Sequence, residues 1–240
     1  MSSSTPSTLI IPDVHGREFW RRAVAERKAA DSVIFLGDYL DPYENECIYW
    51  NDAYRGFLDI VALKRECPEK VTLLLGNHDL HYLFPALRGS RYNKLAANKI
   101  RKTFEDNMGC FQMAAECEVA QRKYLFTHAG VHKIWLKKHE DLFGQVDQVS
   151  ADTFNKLMFK KEFVKALGKI SPWRGGKAKA SSMIWADVNE YESSDTRIPD
   201  MIQVFGHTQM DEPKVINDSM YCLDCRRAFV LRDSGLIEQC

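Results

Sequence analysis

Residues 33–41 read Val33-Ile34-Phe35-Leu36-Gly37-Asp38-Tyr39-Leu40-Asp41. A short apolar run rich in β-branched and aromatic side chains, stopped by glycine, is the pattern of a buried strand. The polar residues that follow emerge at the strand's carboxyl end, where ligands gather in α/β sheets. The same grammar recurs along the chain. Leu9-Ile10-Ile11 precedes Asp13-Val14-His15-Gly16, and Val71-Thr72-Leu73-Leu74-Leu75 runs into Gly76-Asn77-His78-Asp79. Tyr124-Leu125-Phe126 leads to Thr127-His128-Ala129-Gly130, and Met201-Ile202-Gln203-Val204-Phe205 to Gly206-His207-Thr208. The pattern predicts Asp, His and Asn side chains from these strand ends around one point.

The residue types say what such a point does. Asp13 and His15 are one residue apart, so on extended chain they point to the same side and reach one cation. Asp38 has two carboxylate oxygens and is able to bridge two cations. Asn77 offers a neutral carbonyl oxygen suited to a hard ion, while His128 and His207 offer imidazole nitrogens. This mixture of O and N donors, without thiolate, suits Mn, Fe, Zn or Mg. Two such ions roughly 3.5–4 Å apart clamp the attacking and leaving oxygens of a phosphoryl displacement.

Around these motifs the first half alternates strand and helix: strand 9–11, a helix near Glu18–Ala29, strand 33–36, a helix near Asp52–Glu66 and strand 71–75. That rhythm predicts parallel strands covered by helices. A helix over Tyr92–Asn107 would turn Leu95, Ile100 and Phe104 inward, and a longer one is expected over Asp152–Leu167, capped by Gly168. Beyond residue 180, Met183-Ile184-Trp185, Ile202–Phe205, Val215-Ile216, Met220–Leu223 and Phe229-Val230-Leu231 read as closely spaced strands, with turns at Asn217-Asp218 and Arg232-Asp233-Ser234-Gly235. These predict a second, mostly antiparallel sheet.

In order, the motifs resemble those of the calcineurin-like metallophosphoesterase superfamily: D-x-H-G, G-D-x-x-D, G-N-H-[ED], H-x-G and G-H. The resemblance is strongest to the branch of serine/threonine protein phosphatases and symmetrical dinucleotide tetraphosphatases. Ile184-Trp185-Ala186-Asp187 and Cys222-Leu223-Asp224 resemble two further segments of the protein phosphatases. The resemblance implies an α/β, four-layer αββα fold, with two mixed sheets packed as a sandwich flanked by helices. It implies that Asp13, His15 and Asp38 hold one ion and that Asp38, Asn77, His128 and His207 hold a second, most simply manganese. It further implies that His78 is the general acid, oriented by Asp41, and that a hydroxide bridging the ions is the nucleophile.

One departure bears on substrate. Protein phosphatases follow the second motif with Arg-Gly, and this chain has Pro42-Tyr43. A phosphate clamp must come from elsewhere, since guanidinium matches phosphate bidentately. Arg17 and Arg174 are the candidates in the block of motifs and the loop before the second sheet, with Arg88 and Arg91 also in range. Tyr39, Tyr43, Tyr49, Trp50 and Tyr54 follow the same motif. Tyr54 is expected to pack, whereas Tyr43 and Trp50 stay open between packing and stacking a nucleobase. His81 is expected to be a partly exposed structural histidine, and His132 and His139 to lie on helix surfaces. Lys156–Lys179 carries eight Lys or Arg and one Glu, the composition of a wet helix face.

Composition bounds the rest. With 240 residues, 45% of them apolar, the chain has enough to build its own core. Acidic and basic residues balance at 33 each, so nothing argues for nucleic acid as partner. No apolar run approaches the roughly 18 residues that span a bilayer. The start, Met1-Ser2-Ser3-Ser4-Thr5-Pro6-Ser7, reads as a disordered tail over residues 1–8 rather than a secretory signal. One domain is expected over residues 9–240. Seven irregularly spaced cysteines, with Cys222-Leu223-Asp224-Cys225 as an ordinary pair, point to a reducing, cytoplasmic setting. The leading expectation is a dinuclear phosphoester hydrolase, a phosphomonoesterase like the serine/threonine protein phosphatases, acting on a phosphorylated substrate, phosphoprotein or nucleotide. A nucleotide or dinucleotide polyphosphate hydrolase is the alternative, and an inactive scaffold of the same fold is a third reading.

Overall fold

A computed structural model describes residues 7–26, 30–235 and 237–240. The chain forms two compact units: one takes the chain up to Phe111 together with Arg226–Cys240, the other Gln112–Cys225. The elements in order are β1 (Ser7–Ile11), α1 (Phe19–Glu26), β2 (Ser32–Phe35), α2 (Trp50–Glu66), β3 (Val71–Leu74), α3 (Asn77–Leu83), α4 (Ala97–Asp106), β4 (Phe111–Gln112), β5 (Ala114–Val119), β6 (Arg122–Thr127), α5 (Lys133–Lys138), α6 (Glu140–Phe143), α7 (Ala151–Leu157), α8 (Lys161–Leu167), β7 (Met201–Phe205), β8 (Lys214–Ile216), β9 (Met220–Cys222), β10 (Phe229–Arg232) and β11 (Ile237–Gln239). No helix among the described residues is long and apolar enough to cross a membrane.

The first sheet has the order β11-β10-β1-β2-β3-β4. β1, β2 and β3 run parallel, as the alternation predicts. Their inner residues Leu9, Ile10, Ile11, Phe35, Leu73 and Leu74 are fully buried, which is why these runs carry almost no polar residue. The helix α2 buries Ala53, Phe57, Ile60 and Val61. Phe57 stacks into an aromatic cluster with Tyr39, Phe104 and Phe111, with ring centres 4.8–6.1 Å apart. Burying a ring of this size stabilises the unit by about 2–3 kcal/mol.

The second sheet, β5-β6-β7-β9-β8, is mixed and not mostly antiparallel. β6, β7 and β9 run parallel, while β5 and β8 flank them antiparallel. Asn217 and Asp218, both at positive φ (47° and 50°), make the tight turn of the β8–β9 hairpin. Two expected strands fall elsewhere. Residues 183–185 form a turn, and β10 leaves the second sheet to pair antiparallel with β1. Trp135, Phe143, Phe154 and Phe163 form this unit's aromatic core, and Trp135 Nε1 donates to the Ala166 carbonyl at 3.0 Å.

Several boundaries differ from the periodic reading. β1 starts at Ser7, inside the expected tail, whose residues 1–6 lie outside the described residues, as do 27–29 at the end of the expected first helix. The helix expected from Tyr92 starts at Ala97, so Leu95 precedes it and is 100% exposed while Ile100 and Phe104 are buried. The expected helix 152–167 is two helices, broken at residues 158–160, where Phe159 faces solvent.

Candidate active site

The loop after β1 and the loop after β2 are laced together by backbone. The His15 N–H donates to the Asp38 carbonyl at 2.7 Å, and Gly16 N–H to that of Tyr39 at 3.0 Å. His15 and Asp38 both adopt left-handed backbone, at φ 46° and 54°, as does Asp41 at 59°. Non-glycine residues there cost about 1–3 kcal/mol each, and such outliers cluster at functional sites. The result is a buried group in which donor atoms of Asp13, His15 and Asp38 lie within 4.8 Å of one another. His15 Nδ1 is 2.9 Å from the Leu40 carbonyl, which places the proton on Nδ1 and turns Nε2 inward, 3.4 Å from Asp38 Oδ2 and 3.9 Å from Asp13 Oδ2. Burial, then His78, Arg91 and Arg17, push the His15 pKa well below its ordinary value, so the ring is neutral. A neutral imidazole fixed by a backbone acceptor, beside two carboxylates, is a donor set that fits a divalent cation.

The third motif closes on the second. Asp79, fully buried, accepts from the backbone N–H groups of Asp38 (2.7 Å), Tyr39 (3.1 Å) and Gly76 (2.9 Å). Burial and the Asp38 carboxylate push its pKa up, against these three donors. Asp38 Oδ1 in turn accepts from the His78 N–H at 2.9 Å. Asn77 and His78 thus begin α3 beside Asp38, and both are buried.

His78 Nδ1 lies 3.0 Å from Asp41 Oδ2, and His81 Nε2 lies 2.8 Å from the same oxygen. Tyr82 donates its hydroxyl to Asp41 Oδ1 and accepts from the Asn93 N–H at 3.1 Å. Burial raises the Asp41 pKa, but His78 and His81 outweigh it and hold the carboxyl below its ordinary value. Burial lowers His78 to about 4, with Asp41 opposing and Arg91 adding to the fall. Arg91 Nη2 is 3.0 Å from His78 Nε2. That guanidinium disfavours a cation on the Asp41–His78–His81 group, which suits proton transfer better than metal binding.

In the second unit His128 and His207 come together, with Nε2 of the first 3.1 Å from Nδ1 of the second. Two nitrogens about 2.1 Å from a shared ion at a near-right angle have about this separation. The Gly206 N–H donates to the His128 carbonyl at 2.8 Å, tying the two strand ends, and His207 sits at φ 66°. Trp185 meets the His207 ring edge-on, with centres 5.7 Å apart.

The calcineurin-like phosphoesterase profile matches residues 6–211. The chain belongs to this family. A cold-active protein-tyrosine phosphatase of a psychrophile Shewanella species superposes with a TM-score of 0.59 at 14% identity, over 98% of this chain and 80% of that one. A protein serine/threonine phosphatase from Saccharomyces cerevisiae gives a TM-score of 0.54 at 14% identity, over 99% and 80%. At such identities the likeness speaks for the fold. None of the curated proteins compared matches the chain. This calcineurin-like phosphoesterase is a metal-dependent phosphoester hydrolase, with a mixed α/β fold and two mixed sheets flanked by helices.

The first unit therefore brings together Asp13, His15, Asp38, Asp41, Asn77 and His78, and the second brings together His128 and His207. The expected arginines are already engaged. Arg17 forks onto Glu46 (Nε to Oε2 and Nη2 to Oε1, both 2.9 Å) and holds the Asp13 carbonyl at 3.3 Å. Arg174 lies 3.0 Å from Asp187 Oδ2 and donates to Thr208 Oγ1 at 2.8 Å. Arg88 lies over the Tyr92 ring at 4.3 Å. His81 is not a partly exposed structural residue: it is 1% exposed and touches Asp41. His132 is likewise buried, accepting from the Ile134 N–H at the start of α5. Sequence reasoning missed Asp79 as the clamp of the second motif, and Tyr82 and Arg91 as partners of the Asp41–His78 pair. His78 and His81 sit one helical turn apart, a spacing that would have paired them had α3 been read as a helix.

Proposed function

We propose that this phosphoesterase is a two-metal phosphomonoesterase of the serine/threonine protein phosphatase kind. In this reading Asp13, His15 and Asp38 hold one ion, and Asp38, Asn77, His128 and His207 the second. The observation that carries it is the Asp38 carboxylate, which faces His15 with one oxygen (3.4 Å) while the other accepts from the backbone of His78 (2.9 Å). The ligand group and the acid are thereby locked into one rigid frame. When bound, the ions supply Lewis acidity, an activated water and charge to offset the phosphoryl oxygens. The mixed donors suit manganese, as they do iron, zinc or magnesium.

The side chains do the rest. Asp41 holds the His78 ring through Nδ1 and points Nε2 outward. An arriving phosphate dianion raises the His78 pKa from its resting value, so the ring takes a proton with substrate in place. Nε2–H then gives that proton to the departing oxygen. Tyr82 and His81 keep the Asp41 carboxylate from turning.

The phosphoprotein reading is preferred over a nucleotide substrate because the Tyr43 and Trp50 faces, left open by the sequence, are taken, although Tyr49 stays exposed. Trp50 stacks on Tyr54 at 5.1 Å, and Tyr43 lies under Arg91. A reducing, cytoplasmic setting belongs to the same reading, on the irregular spacing of the seven cysteines in the sequence. A manganese-supplemented screen of phosphopeptides, nitrophenyl phosphate, mononucleotides, cyclic nucleotides and dinucleoside tetraphosphate tests the reading. Phosphopeptide and nitrophenyl phosphate turnover is expected; turnover confined to dinucleoside tetraphosphate would replace it with the alternative, and no turnover in the metal-loaded protein would revive the scaffold.

A further inference from the structure

We propose that Arg91 is the side chain that grips the substrate phosphate, held ready over the ring of Tyr43. This rests on the phosphomonoesterase reading and adds to it the source of the missing clamp. Three contacts place the guanidinium. Nη2 lies 3.0 Å from His78 Nε2, Nη1 donates to the Asp41 carbonyl, and the guanidinium carbon stands 3.8 Å from the centre of the Tyr43 ring. The Tyr43 ring is itself braced by His15, edge-on at 5.0 Å, and by Arg17 at 5.3 Å.

The partners decide the role. Arg17 is neutralised by Glu46 and Arg174 by Asp187. Among the described residues, Arg91 meets a carbonyl, an imidazole and an aromatic face, and no carboxylate takes its fork. A half-buried guanidinium with neutral partners has its charge and bidentate geometry left for an anion. Its backbone sits at φ 56°, a left-handed conformation that an arginine does not adopt without cost, and this turn aims the side chain at the pair.

Position agrees with charge. A phosphoester oxygen at hydrogen-bond distance from His78 Nε2 is no more than about 6 Å from the resting Nη2, within one side-chain rotation. Substrate draws the guanidinium off Nε2 and onto the phosphoryl oxygens, and this leaves Nε2 facing the departing group. The sequence departure acquires a reason. Pro42-Tyr43 lacks the cation expected there, but Tyr43 provides the face on which an arginine 50 residues from Asp41 is stacked. One extra cation at the phosphoryl group favours a dianionic monoester over a monoanionic diester.

The test uses the manganese-loaded full chain, with inorganic phosphate binding read by calorimetry and kcat and KM read on nitrophenyl phosphate and bis(nitrophenyl) phosphate. Arg91→Ala is expected to weaken phosphate binding about tenfold to hundredfold, with metal content and melting curve unchanged. Its preference for monoester over diester should narrow by a similar factor. Arg91→Lys keeps charge without the fork and should fall between; Tyr43→Ala should weaken phosphate binding several-fold through loss of the stack. If Arg91→Ala fails to fold, the last two variants decide. Phosphate affinity within twofold of the parent across these variants overturns the assignment, as does a parent that binds no phosphate. Arg91-dependent phosphate binding in a protein that hydrolyses no phosphoester would instead sink the functional reading and leave the assignment standing.

Discussion

Replacing Gly37 with alanine tests how the strand ends hold the site. Gly37 sits at φ 106°, a conformation that L-residues rarely adopt, and a Cβ built there would lie 2.5 Å from Gly76 N, 3.0 Å from Gly76 Cα and 3.1 Å from the Leu75 carbonyl carbon. The closest approach is about 0.9 Å short of ordinary van der Waals contact, and every neighbour is backbone, so no side chain is able to turn aside. The backbone conformation costs about 1–3 kcal/mol. Forcing the β2 and β3 ends apart costs a further ~1–3 kcal/mol. A loss of roughly 2–6 kcal/mol against a typical 5–15 leaves the protein folded but much weakened. The displaced atoms carry Asp38 on one side and Asn77 and His78 on the other. A shift approaching 1 Å between them is enough to lower turnover about a hundredfold. Urea unfolding gives the first quantity, and kcat on nitrophenyl phosphate the second. A Gly37→Ala variant within about 0.5 kcal/mol of the parent, with unchanged kcat, would refute the claim that close backbone approach sets this geometry.

His78→Asn should retain its metals and lose about 10²–10⁴ in kcat on an alkyl phosphate, with a much smaller loss on nitrophenyl phosphate. Equal losses on the two leaving groups would contradict proton donation by His78. Acidification should destabilise the metal-free protein: the His78 pKa falls from 6.5 to about 4 on folding, so between those values the unfolded chain binds more protons and folding loses about 3 kcal/mol as pH drops. His15, also lowered, acts in the same direction, and Asp79, raised, acts against them. With Asp79 replaced by Asn, unfolding free energy that is flat or rising from pH 7 to pH 4.5 would show that these rings are not held neutral.

How much of this could be read in advance follows from range. β1, β2 and β3 were legible because strands buried on both faces must be continuous apolar runs. Their motifs followed because polar side chains have to leave the sheet at its carboxyl end. The second sheet departs from its expectation because closeness in sequence does not by itself set antiparallel pairing. The β5–β6 and β8–β9 hairpins are local; β6, β7 and β9 pair across long connections, and β10 pairs with β1. Leu95 failed because periodicity says which residues share a face and not where a helix starts. The supports of the site were the least visible. Asp79 is fixed by the Asp38 backbone 41 residues away, and Arg91 by an Asp41 carbonyl 50 away, and no local pattern encodes either contact.

Metal stoichiometry bears most directly on the shared role given to Asp38. After manganese reconstitution and desalting, the parent protein should hold two equivalents per chain, and Asp38→Asn should lose both together while remaining folded. A folded Asp38→Asn protein that still holds two equivalents would contradict it.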